Sequence, residues 1–350
     1  MRPFARKALG LLPPCATTGI GSLPHTQAEL ALQCSLQHDV PFLPQLPTGR
    51  PAELMIPAAL EGFPGVSFDN DGTCFVDPRV WERQKGPFGQ RLEEALNAKA
   101  YSAFEPSADA CRSFRAFMGE IEQRQLPFAK VQIAGPATVR WVARTSSGRL
   151  LQDVPDMDQQ VFHMLMAKSL ALVSAVRHAG ATAILYLDEP GLYALDKSDM
   201  KHVLMLQELK VLIAAVQQSG ALVGLHCCGN TDWAAIMELG LDILSVDARL
   251  SFDAVVKERA AFSRFVASGA TLSLGIVPTD IDAAYKPEAL FDAVEASLRT
   301  TLPAGFGGSS WLANMLLTPA CGLAMRSMAE TERILEAVQA AQRHFRRAVA

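Results

Sequence analysis

Charge of one sign is missing from this chain. Its 32 Lys and Arg nearly balance 36 Asp and Glu, for a net charge of −4. Neither nucleic acid nor an anionic membrane surface has a basic footprint to meet. Long apolar runs are missing too, since no stretch approaches the ~20 residues of a membrane span. The basic N-terminus holds an apolar run, Ala8 to Leu12, that is too short for a secretory h-region. It is expected to be an arm over the surface, residues 1–15. No Gly-x-Gly-x-x-Gly follows a strand and no Walker-type loop occurs, which leaves nucleotide binding without support. Internal repeats and low-complexity linkers are absent. The seven cysteines, at 15, 34, 74, 111, 227, 228 and 321, are odd in number and scattered. That excludes a disulfide framework and points to reduced thiols in the cytoplasm.

What remains is ample apolar content, 49% of residues, arranged in alternating strand-like and helix-like segments. Eight strand candidates start near residues 16, 40, 128, 183, 221, 243, 271 and 311. Helices separate most of them: about Asp156 to Ala179, Met200 to Ser219, Asp232 to Leu239, and a closing helix from about Ser327 to Ala348. Thr26, with Glu29 three residues on, reads as a capping box. Gly135-Pro136 opens a helix with Pro at its start. Asn70-Asp71-Gly72 reads as the turn of an inserted β-hairpin. Eight strands separated mainly by helices suggest an α/β fold, a single (β/α)8 barrel spanning 16–350. A doubly wound open sheet produces the same alternation.

Barrel active sites form at the C-terminal ends of the strands, and polar residues collect there. One strand leads into Gly21-Ser22. Another ends in Asp188-Glu189, the next in His226 and Cys228, the next in Asp247, and the last reaches Cys321. Residues two apart on a strand share a side, so His226 and Cys228 face one way and Cys227 the other, into the core. Imidazole and thiolate are the donors zinc favours. Each residue also has a plainer role. Cys321 sits in a turn sequence, Asp247 can cap a helix, Asp188 and Glu189 can form a salt-bridged strand end, and free cysteines are commonly buried. The convergence of one His, two Cys and one carboxylate on a single rim favours metal.

Several motifs resemble those of the C-terminal catalytic barrel of cobalamin-independent methionine synthase. Thr18-Gly-Ile-Gly-Ser-Leu-Pro-His-Thr26 is similar to the opening motif of that family. Gly135-Pro136-Ala-Thr138, Leu187-Asp-Glu-Pro190, His226-x-Cys228 and Pro319-x-Cys-Gly-Leu323 follow in the family's order, across about residues 17–326. The resemblance implies that Ile20, Gly21 and Ser22 hold a substrate carboxylate and that Asp188, with Glu189, meets its amino group. It also implies a Zn²⁺ ion held by His226, Cys228 and Cys321. Asp247, in Leu244-Ser-Val-Asp247, stands where the family has its Glu ligand.

The implied activity is zinc-dependent transfer of a methyl group to a thiol, with homocysteine as acceptor and methionine as product. The long enzyme has two barrels and an Arg-Cys pair for folate, and neither is found in this chain. The donor implied is a methylcobamide or corrinoid protein, with methyltetrahydrofolate as the other choice. The wider superfamily offers two rivals. One is a uroporphyrinogen decarboxylase-like enzyme, for which Arg2, Arg6 and Lys7 are the only basic hint. The other is a methylcobamide:thiol methyltransferase with a different acceptor.

Overall fold

The computed structural model describes residues 3–280, 285–301 and 308–349. Seven parallel strands form one curled sheet, a half-barrel of TIM-like type. In chain order they are β1 (Ala16–Thr17), β2 (Phe128–Ala134), β3 (Thr182–Asp188), β4 (Leu222–Cys227), β5 (Ile243–Asp247), β6 (Thr271–Val277) and β7 (Leu316–Pro319). The order across the sheet is β1-β7-β6-β5-β4-β3-β2. Consecutive strands are neighbours from β2 to β7, as helical crossovers require of parallel pairs. All residues of β2, β4, β5, β6 and β7 are buried, because helices cover one face and the sheet curls around the other.

The second expected strand, Val40 to Gln45, is not a regular strand. It is a Pro-interrupted extended segment between the two sheet edges. Val40 N–H donates to the Thr17 carbonyl at 3.0 Å, Lys130 N–H donates to the Pro41 carbonyl at 2.8 Å, and Leu43 N–H donates to the Lys130 carbonyl at 2.8 Å. Single bridges join Phe42 to Lys130 and Ser22 to Gln45. Pro41 and Pro44 lack the donors that a continuous ladder needs.

Three local expectations need correction. Residues 311–313 close a short helix, Gly308–Ala313, and the strand begins only at Leu316. Thr26 caps nothing. The helix starts at Ala28 after Gln27, without a side-chain cap, and Arg112 takes the Thr26 carbonyl at 3.0 Å. The N-terminal segment is not a surface arm, since Pro3–Leu9 is a helix with Ala5, Ala8 and Leu9 buried. They cluster with Phe128, Leu222, Ile243 and Leu316, the first residues of four strands. The helix therefore stops the end of the sheet opposite the polar rim.

The hairpin pairs Val66–Phe68 with Cys74–Val76, and Arg144–Thr145 adds a third short strand. The long helices run close to expectation, at Pro155–His178, Met200–Gln218 and Met328–Val349.

Candidate metal centre

Strand register brings the polar ends together. Asp188 is level with His226, His226 with Ser245, and Asp247 with Gly275. A register shift at Thr318/Pro319 disturbs the end of β7 just before Cys321. Such irregularities re-aim the residues that follow.

His226, Cys228 and Cys321 form one cluster, with one donor atom of each within 4.8 Å of the others. His226 is 4% exposed. Its Nδ1 lies 3.0 Å from Ser245 Oγ, while its Nε2 is buried with no partner. Buried polar atoms are nearly always satisfied, and this nitrogen, set beside the Cys321 thiol, is one of three donors that could hold a metal ion. The two thiols lie side by side and act on each other. That contact holds Cys228 below the usual thiol range and pushes Cys321 up to about 12.

Asp247 is not part of this cluster. It is buried, and its Oδ1 accepts from the N–H groups of Arg249 at 2.8 Å and Leu250 at 3.0 Å. The carboxylate thus closes the turn after β5, a common use of Asp. Cys227 faces the core, with its thiol 3.4 Å from the Gly229 carbonyl.

Asp188 and Glu189 have opposite surroundings. Asp188 is buried beside the cluster with Oδ1 unpartnered. Burial raises its pKa, and Lys130 and then His226 pull it back. Glu189 is wholly buried, with both oxygens engaged. It accepts from Ala137 N–H at 3.0 Å, Thr138 N–H at 2.7 Å and Thr138 Oγ1 at 2.6 Å. It therefore caps the helix Pro136–Val142, where helix N–H groups favour an anion. Burial raises its pKa to about 7 against the pull of those bonds.

Ile20, Gly21 and Ser22 lie across the rim beside the Cys321 loop. Leu323 N–H donates to the Ser22 carbonyl at 2.8 Å. A Cβ on Gly322 would meet Ser22 Oγ, so the serine side chain would have to turn aside to admit one.

Sequence reasoning missed Lys130, Gln132 and Ser245. Lys130 is completely buried, with Nζ donating to the Ile20 carbonyl at 2.7 Å and to Gln132 Oε1 at 3.0 Å. Burial lowers its pKa to about 8, against the raising influence of Asp188. A signal was present: Lys130 and Gln132 stand two apart in an otherwise apolar strand, the mark of two polar residues sharing its inner face.

A parallel α/β sheet with a histidine–dicysteine cluster on its C-terminal rim marks an enzyme-like architecture. The chain belongs to the cobalamin-independent synthase catalytic-domain family, which matches residues 121–343. It is thus a methyltransferase-type domain. Among solved structures, a methyltransferase from Methanosarcina mazei aligns over 98% of both chains at 17% identity and a TM-score of 0.60. That likeness shows a shared fold. A protein assigned as an orotidine 5'-phosphate decarboxylase from Streptomyces avermitilis covers 67% of this chain and 94% of its own, at 15% identity and a TM-score of 0.32. No curated protein sequence matches significantly. No helix among the described residues is long and apolar enough to cross a membrane.

Proposed function

We propose that the chain is a zinc-dependent thiol methyltransferase, with homocysteine as the acceptor and methionine as the product. The observation that carries the reading is the His226–Cys228–Cys321 cluster with its unpartnered Nε2. Zinc bonds of ~2.0–2.3 Å place two tetrahedral donors roughly 3.5–3.8 Å apart, and the three donors here all lie within 4.8 Å of one another. Two thiols and an imidazole suit zinc better than magnesium or calcium, which prefer oxygen. Three protein donors also leave the open position typical of catalytic sites. Bound zinc would supply Lewis acidity that lowers the pKa of a substrate thiol.

The chain's own residues supply orientation. Ser245 fixes the His226 ring through Nδ1, leaving Nε2 for the metal. Asp188 offers its free oxygen to a substrate ammonium. The Ile20–Ser22 backbone, pinned to the Cys321 loop, receives the carboxylate. Glu189 holds the wall behind Asp188 as a helix cap, and Asp247 shapes the turn beside it. The segment Val40 to Gln45 is proposed as the eighth strand position of a closed barrel, supported by its bridges to both edges.

The methyl donor proposed is a methylcorrinoid, with methyltetrahydrofolate as the alternative. The test is product formation with homocysteine, comparing methylcobalamin with methyltetrahydrofolate. Methionine formed from methylcobalamin supports the reading. Full activity in metal-free protein, or no methionine from either donor, would sink it.

A further inference from the structure

Lys130 is a cation in the sheet interior that the methyl-transfer step does not use. Its side chain is fully buried, 4.5 Å from the Tyr186 ring centroid. Burying an ammonium is costly unless it is well partnered. Its two hydrogen-bonded partners both lead to one segment. Nζ draws the Ile20 carbonyl inward at 2.7 Å and also holds Gln132 Oε1 at 3.0 Å. Gln132 donates in turn to the Leu43 carbonyl at 2.8 Å, and its amide occupies the space where a Gly21 Cβ would stand. Gly21 has φ +147°, in the region that favours glycine.

The geometry of the peptide then sets the direction of the donors. A trans peptide points its C=O and N–H opposite ways. With the Ile20 carbonyl drawn down to Lys130, the Gly21 N–H is turned away from the interior. The Gly21 carbonyl accepts from Gln45 N–H at 3.1 Å, which sends the Ser22 N–H to the other side. At its far end the segment abuts Gly322, next to Cys321. The interior thus carries Lys130 beneath the Ile20–Ser22 backbone and the buried carboxyl group of Asp188 within its electrostatic reach. That pairing matches an amino-acid zwitterion, with Asp188 for the ammonium and the Lys130-backed segment for the carboxylate.

We propose that Lys130 is the positioning residue of an anion subsite, fixing the Ile20–Ser22 backbone and supplying the positive charge that selects a substrate carboxylate. This rests on the thiol-methylation reading, because it assigns the subsite to the carboxylate end of that substrate. The test is calorimetric binding of L-methionine and of 3-(methylthio)propylamine, which keeps the thioether and the amine but has no carboxylate. Wild type should bind L-methionine the more tightly. Lys130→Met should weaken L-methionine about tenfold or more, while the amine stays within about twofold. Lys130→Arg should restore most of the preference. Should Lys130→Met fail to fold, judged by zinc content and melting, Gln132→Met should shift the same ratio in the same direction. Equal losses for both ligands, or an unchanged ratio, would overturn the role of Lys130 alone. A wild type that binds neither ligand would overturn the amino-acid substrate reading and the subsite with it.

Discussion

Ser245→Ala removes one hydroxyl and leaves the metal cluster itself untouched. That hydroxyl lies 3.0 Å from His226 Nδ1 and is itself fully buried. The variant therefore strands a ring nitrogen in a dry place, at a cost of about 1–3 kcal/mol for an unsatisfied buried group. It also frees the imidazole to rotate or change tautomer. Outer partners of metal-bound histidines contribute about 10–100-fold in metal affinity, or roughly 1.4–2.7 kcal/mol. Zinc affinity should fall by that factor in competition with a chromophoric chelator. The fold should persist, because the substitution deletes only one oxygen from a well-covered strand. Melting in the presence of zinc provides the control for folding. Unchanged zinc affinity in a folded Ser245→Ala protein would refute the claim that Nδ1 is the supported nitrogen and Nε2 the donor.

Asp247→Ala should leave zinc affinity within about threefold, since this carboxylate closes a turn. It should cost about 1 kcal/mol of stability in a urea titration, the usual scale for such a cap. Glu189→Ala should be far more damaging, by about 3–5 kcal/mol, because three buried donors at Ala137 and Thr138 lose their acceptor. Thermal melts decide this, and a loss under about 1 kcal/mol would contradict the cap. His38 tests the pH dependence. Burial lowers its pKa from the ordinary 6.5 to about 4, with Asp39 opposing. The unfolded chain then binds the extra proton first, so this stability is present above pH 6.5 and lost as pH falls through about 4. The loss is about 3 kcal/mol at most. His38→Gln should flatten that slope in urea titrations at pH 7 and pH 4.5, and an unchanged slope would rule His38 out as its source.

Much of the sheet and the core of the cluster could be read from residue order. The strands ending at Asp188, Asp247 and Cys227 are apolar runs cut off by polar residues, and period two put His226 and Cys228 on one side. The second strand position was harder, because Pro41 and Pro44 break the ladder while the segment still bridges both edges. The start of the last strand was misplaced by five residues, since Trp311 and Leu312 are apolar in a short helix as readily as in a strand. The N-terminal segment misled because its apolar residues are few, yet Ala5, Ala8 and Leu9 suffice to stop one end of the sheet. At the site, chemistry by residue type could not separate a ligand from a cap. Asp247 and Glu189 are acidic residues at strand ends like Asp188, but their oxygens are spent on backbone N–H groups. Only three-dimensional pairing reveals that difference. The spacing of Lys130 and Gln132 marks the inner face of their strand, but the partner of Lys130 at Ile20 is 110 residues away and is legible only in three dimensions.

The central claim is that His226, Cys228 and Cys321 hold zinc. Its most direct test is the metal content of purified wild type beside Cys321→Ser, both washed with a mild chelator. The account predicts about one zinc per wild-type chain and a clear loss in the variant. A wild type without zinc, or a Cys321→Ser protein that keeps its full complement, would contradict it.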